Sequence, residues 1–216
     1  MRKLFAALGL AAIAAVGLTT ATAQDAKTDA KKDAKKDAKL DAKQDAEPAI
    51  IVPYVPTHHK VVEAMLKTAE VKAGDTVYDL GCGDGRIVIA AVKDFKAKRA
   101  LGIDFNPERL KDCDKSVVDA KLTPEQTKAL TFKKGDVLKL KAGDFKDVDV
   151  VTMYLLPSVN RELLPTLKAG LKKGARVVSH DFDFRDLNNV VLWEPEKTVQ
   201  VESDVRTHAV YLWTVK

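Results

Sequence analysis

The chain has 216 residues, 46% hydrophobic and 31% charged, enough for one globular domain with appendages. Its formal net charge is +5, but Arg2 and Lys3 lie at the N-terminus, and in residues 24–47 seven Lys are balanced by six Asp and Glu47. Only a mild positive excess remains for the globular part, so the isoelectric point of about 9.0 is poor support for a nucleic-acid-binding surface.

Residues 1–23 have the three parts of a secretory signal: basic Arg2 and Lys3, an apolar stretch from Leu4 to Leu18, and the small residues Ala21-Thr22-Ala23. Cleavage is predicted before Gln24. The stretch is short against the roughly twenty residues a membrane span needs, so export is preferred, with an uncleaved anchor that holds the domain near a membrane as the alternative. Residues 24–48 are a linker. Asp recurs there at 25, 29, 33, 37, 41 and 45, each followed by Ala, and Leu40 is the one apolar residue larger than Ala before Pro48. Such a segment cannot offset the entropy of ordering, and a solvated tether is expected. The globular domain is expected over residues 49–216.

Within it, Val61, Val62, Met65, Leu66 and Ala69 have helical spacing. Strand-like Thr76–Leu80 runs through a glycine-rich turn into helix-like Arg86–Lys93, followed by a strand over Ala100–Asp104. Asn106-Pro107-Glu108 is a helix start, with Asn as N-cap and Pro at the first helical position. Strands over Leu130–Lys133 and Val148–Met153, a helix from near Ser158 to Leu171, and a strand over Arg176–His180 complete the alternation. Strand and helix taking turns predict an α/β fold: a parallel sheet with helices on both faces. The tail differs. Val190–Trp193, Thr198–Val201 and Thr207–Val215 are β-rich without helices between them, which predicts an antiparallel C-terminal edge after five parallel strands. Cys82 and Cys113 read as free thiols rather than a disulfide framework.

The turn reads Asp79-Leu80-Gly81-Cys82-Gly83-Asp84-Gly85. Glycines at the end of a first strand let a ligand approach the backbone, and the next helix presents unpaired N–H groups. A dinucleotide fold uses G-x-G-x-x-G for pyrophosphate. Here the third glycine arrives one residue early, and Asp79 and Asp84 are expected to repel a diphosphate and to suit a cationic ligand. That spacing also disfavours a NAD-linked oxidoreductase. Asp104 ends the second strand, where an acid can accept from ribose hydroxyls. Phe105 offers a face for adenine, and Asp136 after the third strand can accept from the adenine amino group. Adenosine without phosphates, joined to a cationic amino-acid end, describes S-adenosylmethionine.

These residues resemble the cofactor motifs of class I methyltransferases. The resemblance narrows at Pro53-Tyr54-Val55-Pro56-Thr57, Tyr154-Leu155-Leu156-Pro157, Ser179-His180-Asp181-Phe182-Asp183 and Val210-Tyr211-Leu212-Trp213. Those stretches are similar to the lysine methyltransferases that act on the ATP synthase c-subunit and the adenine nucleotide translocase, with their bacterial relatives. The resemblance covers about residues 50 to 216. It departs from that family at His58-His59, where Pro is usual. It implies a Rossmann-like seven-stranded sheet, S-adenosyl-L-methionine as cofactor, and a protein lysine as acceptor.

Tyr154, at the ligand-binding end of the fourth strand, is expected to line the acceptor channel, with Asp181 as a polar wall. Tyr54, in its stiff Pro-x-x-Pro frame, is expected to fold over the methionine end as a lid, and Cys82 to fill space in the loop. No metal is expected at His180, Asp181 and Asp183, because neighbours on an extended segment point to opposite faces. Two other functional readings stay open: transfer to a small molecule, and an exported module that binds the cofactor without catalysis.

Overall fold

The computed structural model describes residues 54–216. The expected signal, the Asp-Ala-Lys linker and the start of the domain before residue 54 lie outside the described residues. Helix α1, His59–Thr68, is capped by the His58 side chain, which accepts from the Lys60 N–H, and it buries Val61, Val62, Met65 and Leu66. Strand β1, Thr76–Leu80, leads through the glycine turn into helix α2, Arg86–Lys93. Strand β2, Arg99–Asp104, is followed by helix α3, Pro107–Asp119, where Asn106 accepts from the Glu108 N–H with Pro107 in the first turn, as the sequence implied.

A short helix α4, Pro124–Lys128, carries a Thr123/Gln126 capping box and was not anticipated. Strands β3, Leu130–Lys134, and β4, Val150–Met153, flank two short 3₁₀ turns at Val137–Lys139 and Ala142–Phe145. Helix α5, Pro157–Gly170, leads to β5, Arg176–His180. The tail forms β6, Phe184–Arg185, β7, Val191–Trp193, β8, Lys197–Glu202, and β9, Thr207–Thr214.

Seven strands join in the order β3-β2-β1-β4-β5-β9-β8. The five strands β1–β5 pair in parallel, and β9 pairs antiparallel with both β5 and β8. The expected α/β architecture with an antiparallel C-terminal edge is therefore present. One detail differs from the simplest reading of the tail: Val191–Trp193 does not enter this sheet but pairs with β6 in a separate two-stranded ribbon.

Alternation along each strand divides the core between two faces. Val77, Val150, Val178 and Val210 pack with Val61, Met65 and Leu66 of α1 and Val88 and Val92 of α2. Val151, Val177 and Trp213 face the other way, onto Leu163 and Leu167 of α5 and onto Phe145. Helices on both faces leave the carboxyl ends of β1, β2, β4 and β5 as the exposed rim where loops converge, the place where open α/β sheets bind ligands.

Candidate active site

The glycine turn is held on the rim by β2. The backbone N–H groups of Gly81 and Cys82 both donate to the Ile103 carbonyl, at 2.8 and 3.0 Å. Gly83 N–H donates to Asp104 Oδ2 at 2.9 Å, and Asn106 N–H to Asp104 Oδ1 at 2.9 Å. Gly81, Gly83 and Gly85 all have positive φ, at 76°, 55° and 77°, which explains glycine at these alternate positions. A Cβ on Gly83 would stand 2.5 Å from Tyr54 Cε2, so the Tyr54 ring lies directly on the turn. The Arg109 guanidinium sits 4.4 Å from that ring's centroid on its way from α3, a cation–π contact.

The cleft beside the turn is lined by residues of four segments, including Tyr54, Thr57, Asp79, Gly83, Asp84 and Tyr154. Gly81 and Cys82 line it as well. Of the expected cofactor residues, Gly85, Asp104, Phe105 and Asp136 stand outside this lining. Gly85 is the left-handed N-cap of α2. Asp104 is buried and braces the turn from behind, while Phe105 is half-buried beside it. Asp136 ends the β3 loop and accepts from the Leu138 N–H at 3.0 Å.

Asp79 is buried at the end of β1. Thr152, its register partner on β4, donates to Asp79 Oδ1 at 2.6 Å, while Oδ2 finds no hydrogen-bond partner among the described residues. Burial pushes the Asp79 carboxyl up to about 7, although the Thr152 bond works against the rise. Asp84 is in a different condition. Arg86 closes on its carboxylate through Nε and Nη2 and anchors to the Thr57 carbonyl at 2.8 Å through Nη1. Burial raises the Asp84 pKa, but the guanidinium more than offsets it and holds the group below its ordinary value. Of the two acids expected to suit a cationic ligand, Asp84 already has a cationic partner. Arg86 counters Asp84, and the uncommitted carboxylate oxygen in the cleft belongs to Asp79.

Both cysteines are buried and free, as expected. Cys82 fills the space over Gly102, where a Cβ would meet its Sγ at 2.8 Å, and Cys113 Sγ donates to the Gly83 carbonyl at 3.1 Å. Contact with Cys113 and burial push the Cys82 thiol up.

On the far side of the cleft, Tyr154 leaves β4 with its hydroxyl 3.5 Å from Asp181 Oδ2 and its ring 3.9 Å from the His180 ring centroid. The two expected acceptor-side residues are thus together, Tyr154 in the lining and Asp181 behind it. Asp181 also pairs with Arg206 and accepts from the Ala209 N–H at 3.0 Å through Oδ1. Burial acts to raise its pKa, but Arg206, the Ala209 N–H and His180 hold it below the ordinary value. Burial lowers the His180 pKa to about 4. Sequence reasoning missed Thr57, Arg86, Arg109, Thr152, Arg206 and His208. Each acts through a contact distant in sequence or through a partner that no motif marks.

The fit of this site to S-adenosylmethionine rests on Asp79, which lines the cleft and whose Oδ2 has no hydrogen-bond partner among the described residues, while Asp104 holds the turn by accepting one N–H on each oxygen. Fold and cleft together define a methyltransferase of the Rossmann-like class. Residues 79–191 match the family model described as the ANTKMT methyltransferase domain. A protein-lysine N-methyltransferase of Saccharolobus islandicus is 42% identical over 164 residues, 76% of this chain and 94% of that protein. The adenine nucleotide translocase lysine N-methyltransferase of Mus musculus is 33% identical over 71% of this chain, which spans 60% of the mouse protein. Among solved structures, an RNA methyltransferase from Salinibacter ruber in complex with S-adenosyl-L-homocysteine is 40% identical, with a TM-score of 0.63 over 74% of this chain and 94% of that one. The chain belongs to the ANTKMT methyltransferase-domain family, and it is an S-adenosylmethionine-dependent methyltransferase.

Proposed function

We propose that this enzyme N-methylates lysine side chains of a protein substrate, and that it does so outside the cytoplasm. The observation that carries the reading is the cleft itself, with Asp79 and the glycine turn on one side and Tyr154, backed by Asp181, on the other. The cofactor supplies a methyl group on a cationic sulfur. Asp79 complements the positive amino-acid end, Asp104 the ribose, and Phe105 and Asp136 the adenine. Tyr54, already lying on Gly83, excludes water.

Transfer to nitrogen needs a lone pair, and a lysine ammonium has a reference pKa of about 10.4. Burial between Tyr54 and Tyr154 disfavours the charged amine and promotes proton loss. The Tyr154 hydroxyl can donate toward Asp181, at the limit of hydrogen-bond reach. Its oxygen then faces the cleft as an acceptor for an amine N–H, which orients the nitrogen lone pair for in-line attack. The lysine-methylating relative from Saccharolobus islandicus, aligned over 94% of its length, supports a protein acceptor. The signal-like residues 1–23 support export and the Asp-Ala-Lys repeat a tether, with an uncleaved membrane anchor as the alternative arrangement.

The similar Salinibacter ruber protein, an RNA methyltransferase, favours RNA as a second reading. Incubating the purified enzyme with cell-envelope protein, total RNA and labelled S-adenosylmethionine tests both. The expected result is label in protein, recovered as methylated lysine by mass spectrometry. Label confined to RNA or to small molecules overturns the lysine assignment. Cofactor binding with no transfer to any acceptor favours the idle module. Fractionation with sequencing of the mature N-terminus tests export.

A further inference from the structure

Behind Tyr154, three potential ligand atoms converge. His180 Nε2 and His208 Nδ1 are 2.8 Å apart, and Asp181 Oδ2 lies 3.3 Å from the first and 3.5 Å from the second. An ion about 2.1 Å from each of three donors, tetrahedral or octahedral, sees them roughly 3 to 3.4 Å apart. We propose that His180, Asp181 and His208 form a binding site for a first-row divalent transition ion of the zinc type, with the remaining coordination positions open.

The backbone explains how adjacent residues come to face one point. His180 ends β5 and pairs with Val210 of β9, so His208, two residues before Val210, shares its face. Asp181 would point the other way if the strand continued. Instead its φ is 60°, a left-handed conformation costly for a residue with a Cβ, and this turns the carboxylate back beside the imidazoles. That departure overturns the argument by which alternation along an extended segment excluded a metal.

The surroundings are those of a ligand set. Metal-bound histidines characteristically donate their second N–H to an oxygen. Here His180 Nδ1 is 3.2 Å from Thr57 Oγ1, and His208 Nε2 is 3.1 Å from Ser203 Oγ. In the metal-free protein one inner nitrogen donates to the other across 2.8 Å; a tautomer shift that puts both protons on the outer nitrogens gives the ion two inner lone pairs. Asp181 is fixed through its other oxygen by the Ala209 N–H. Two imidazoles and one carboxylate suit zinc, iron or cobalt better than magnesium or calcium. The charged group competing for the place is Arg206, whose guanidinium pairs with Asp181 Oδ2 from a half-exposed position. An ion entering the triad displaces it.

The test uses tag-free, chelator-treated full-length protein. Zn²⁺ is expected to bind one per chain by calorimetry, and to raise Tm by about 5 °C or more at about a hundredfold excess over Kd. Co²⁺ is expected to give visible d–d absorption without thiolate charge transfer. His208→Ala and Asp181→Asn lose both signals, His208→Gln serving where the alanine variant does not fold. Arg206→Gln, which removes the competing cation, binds about tenfold more tightly, and a His58→Ala/His59→Ala double variant binds as the parent does. Two results overturn the proposal: stoichiometric binding that survives in His208→Gln, and absence of binding in both the parent and Arg206→Gln.

Discussion

Thr152 on β4 gives a 2.6 Å hydrogen bond to one carboxylate oxygen of Asp79 on β1, and the other oxygen of the same carboxylate has no partner among the described residues. A buried acid satisfied on one side only is costly to ionise. In the cofactor-free protein burial raises its pKa to about 7.

The first prediction follows from that carboxyl. Its folded pKa of about 7 lies above the ordinary 3.8, so the folded protein holds the proton more tightly than the unfolded chain does. The stability this contributes is fully present below about pH 4 and is lost as the pH rises through 7. Asp79→Asn should remove that part of the slope in thermal melts of the cofactor-free protein. Donor binding should show the opposite trend. If ionised Asp79 is what attracts the cation, affinity rises about tenfold between pH 6 and 8 by calorimetry, and the Asn variant is flat over the same range.

Gly83 and Tyr54 provide the second. Ala at 83 must accept a φ of 55°, at roughly 1–2 kcal/mol, and its Cβ would lie 2.5 Å from the Tyr54 ring. Gly83→Ala should weaken donor binding at least about tenfold. In a Tyr54→Ala background the loss should be smaller, because the collision is gone while the backbone strain remains. Equal losses in both backgrounds would show that the ring does not rest on the turn.

Tyr154→Phe isolates a hydroxyl. The ring contact with His180 is kept and the 3.5 Å contact to Asp181 is removed. The expected outcome is a fall in kcat of about ten- to a hundredfold with unchanged affinity for the donor product. Unaltered turnover would leave the ring as packing alone.

The fourth prediction concerns stability away from the cleft. Arg176 donates to the carbonyls of Ala69 and Glu70 at the end of α1, both at 2.8 Å, and to buried Asp75 at 2.9 Å. Arg176→Ala leaves that buried carboxylate without its cationic partner, keeping the Lys72 N–H, and should cost about 3 kcal/mol in denaturant unfolding. Arg176→Met combined with Asp75→Leu should cost less than either single change, since no unpaired charge is left behind.

The parts of this fold legible in the sequence are those set by local rules. Alternating element types gave the parallel sheet, Asn106-Pro107 gave the start of α3, and three glycines at alternate positions gave the turn. Residues placed at strand ends by the sequence, Asp79 and Tyr154, do line the cleft. Contacts made across the sheet were not legible. The short connection pairs β8 with β9, but nothing local places β9 beside β5, because partners distant in sequence leave no local signal. Arg86 capturing Asp84 is a rotamer choice that spacing does not specify. Alternation along a strand failed at Asp181, where one residue with positive φ reverses the direction of a side chain. Helix α4 did carry a readable Thr123/Gln126 capping signal, but it is too short to show apolar periodicity.

The Cys113 thiol donates to the Gly83 carbonyl, Cys82 lies in the same turn, and both residues are buried while the turn is seated. An alkylating reagent reaches the fully buried Cys113 sulfur through excursions of that turn. The chain therefore carries its own reporter: the rate of thiol modification measures how often the turn lifts, and its slowing on addition of donor measures occupancy without any attached dye.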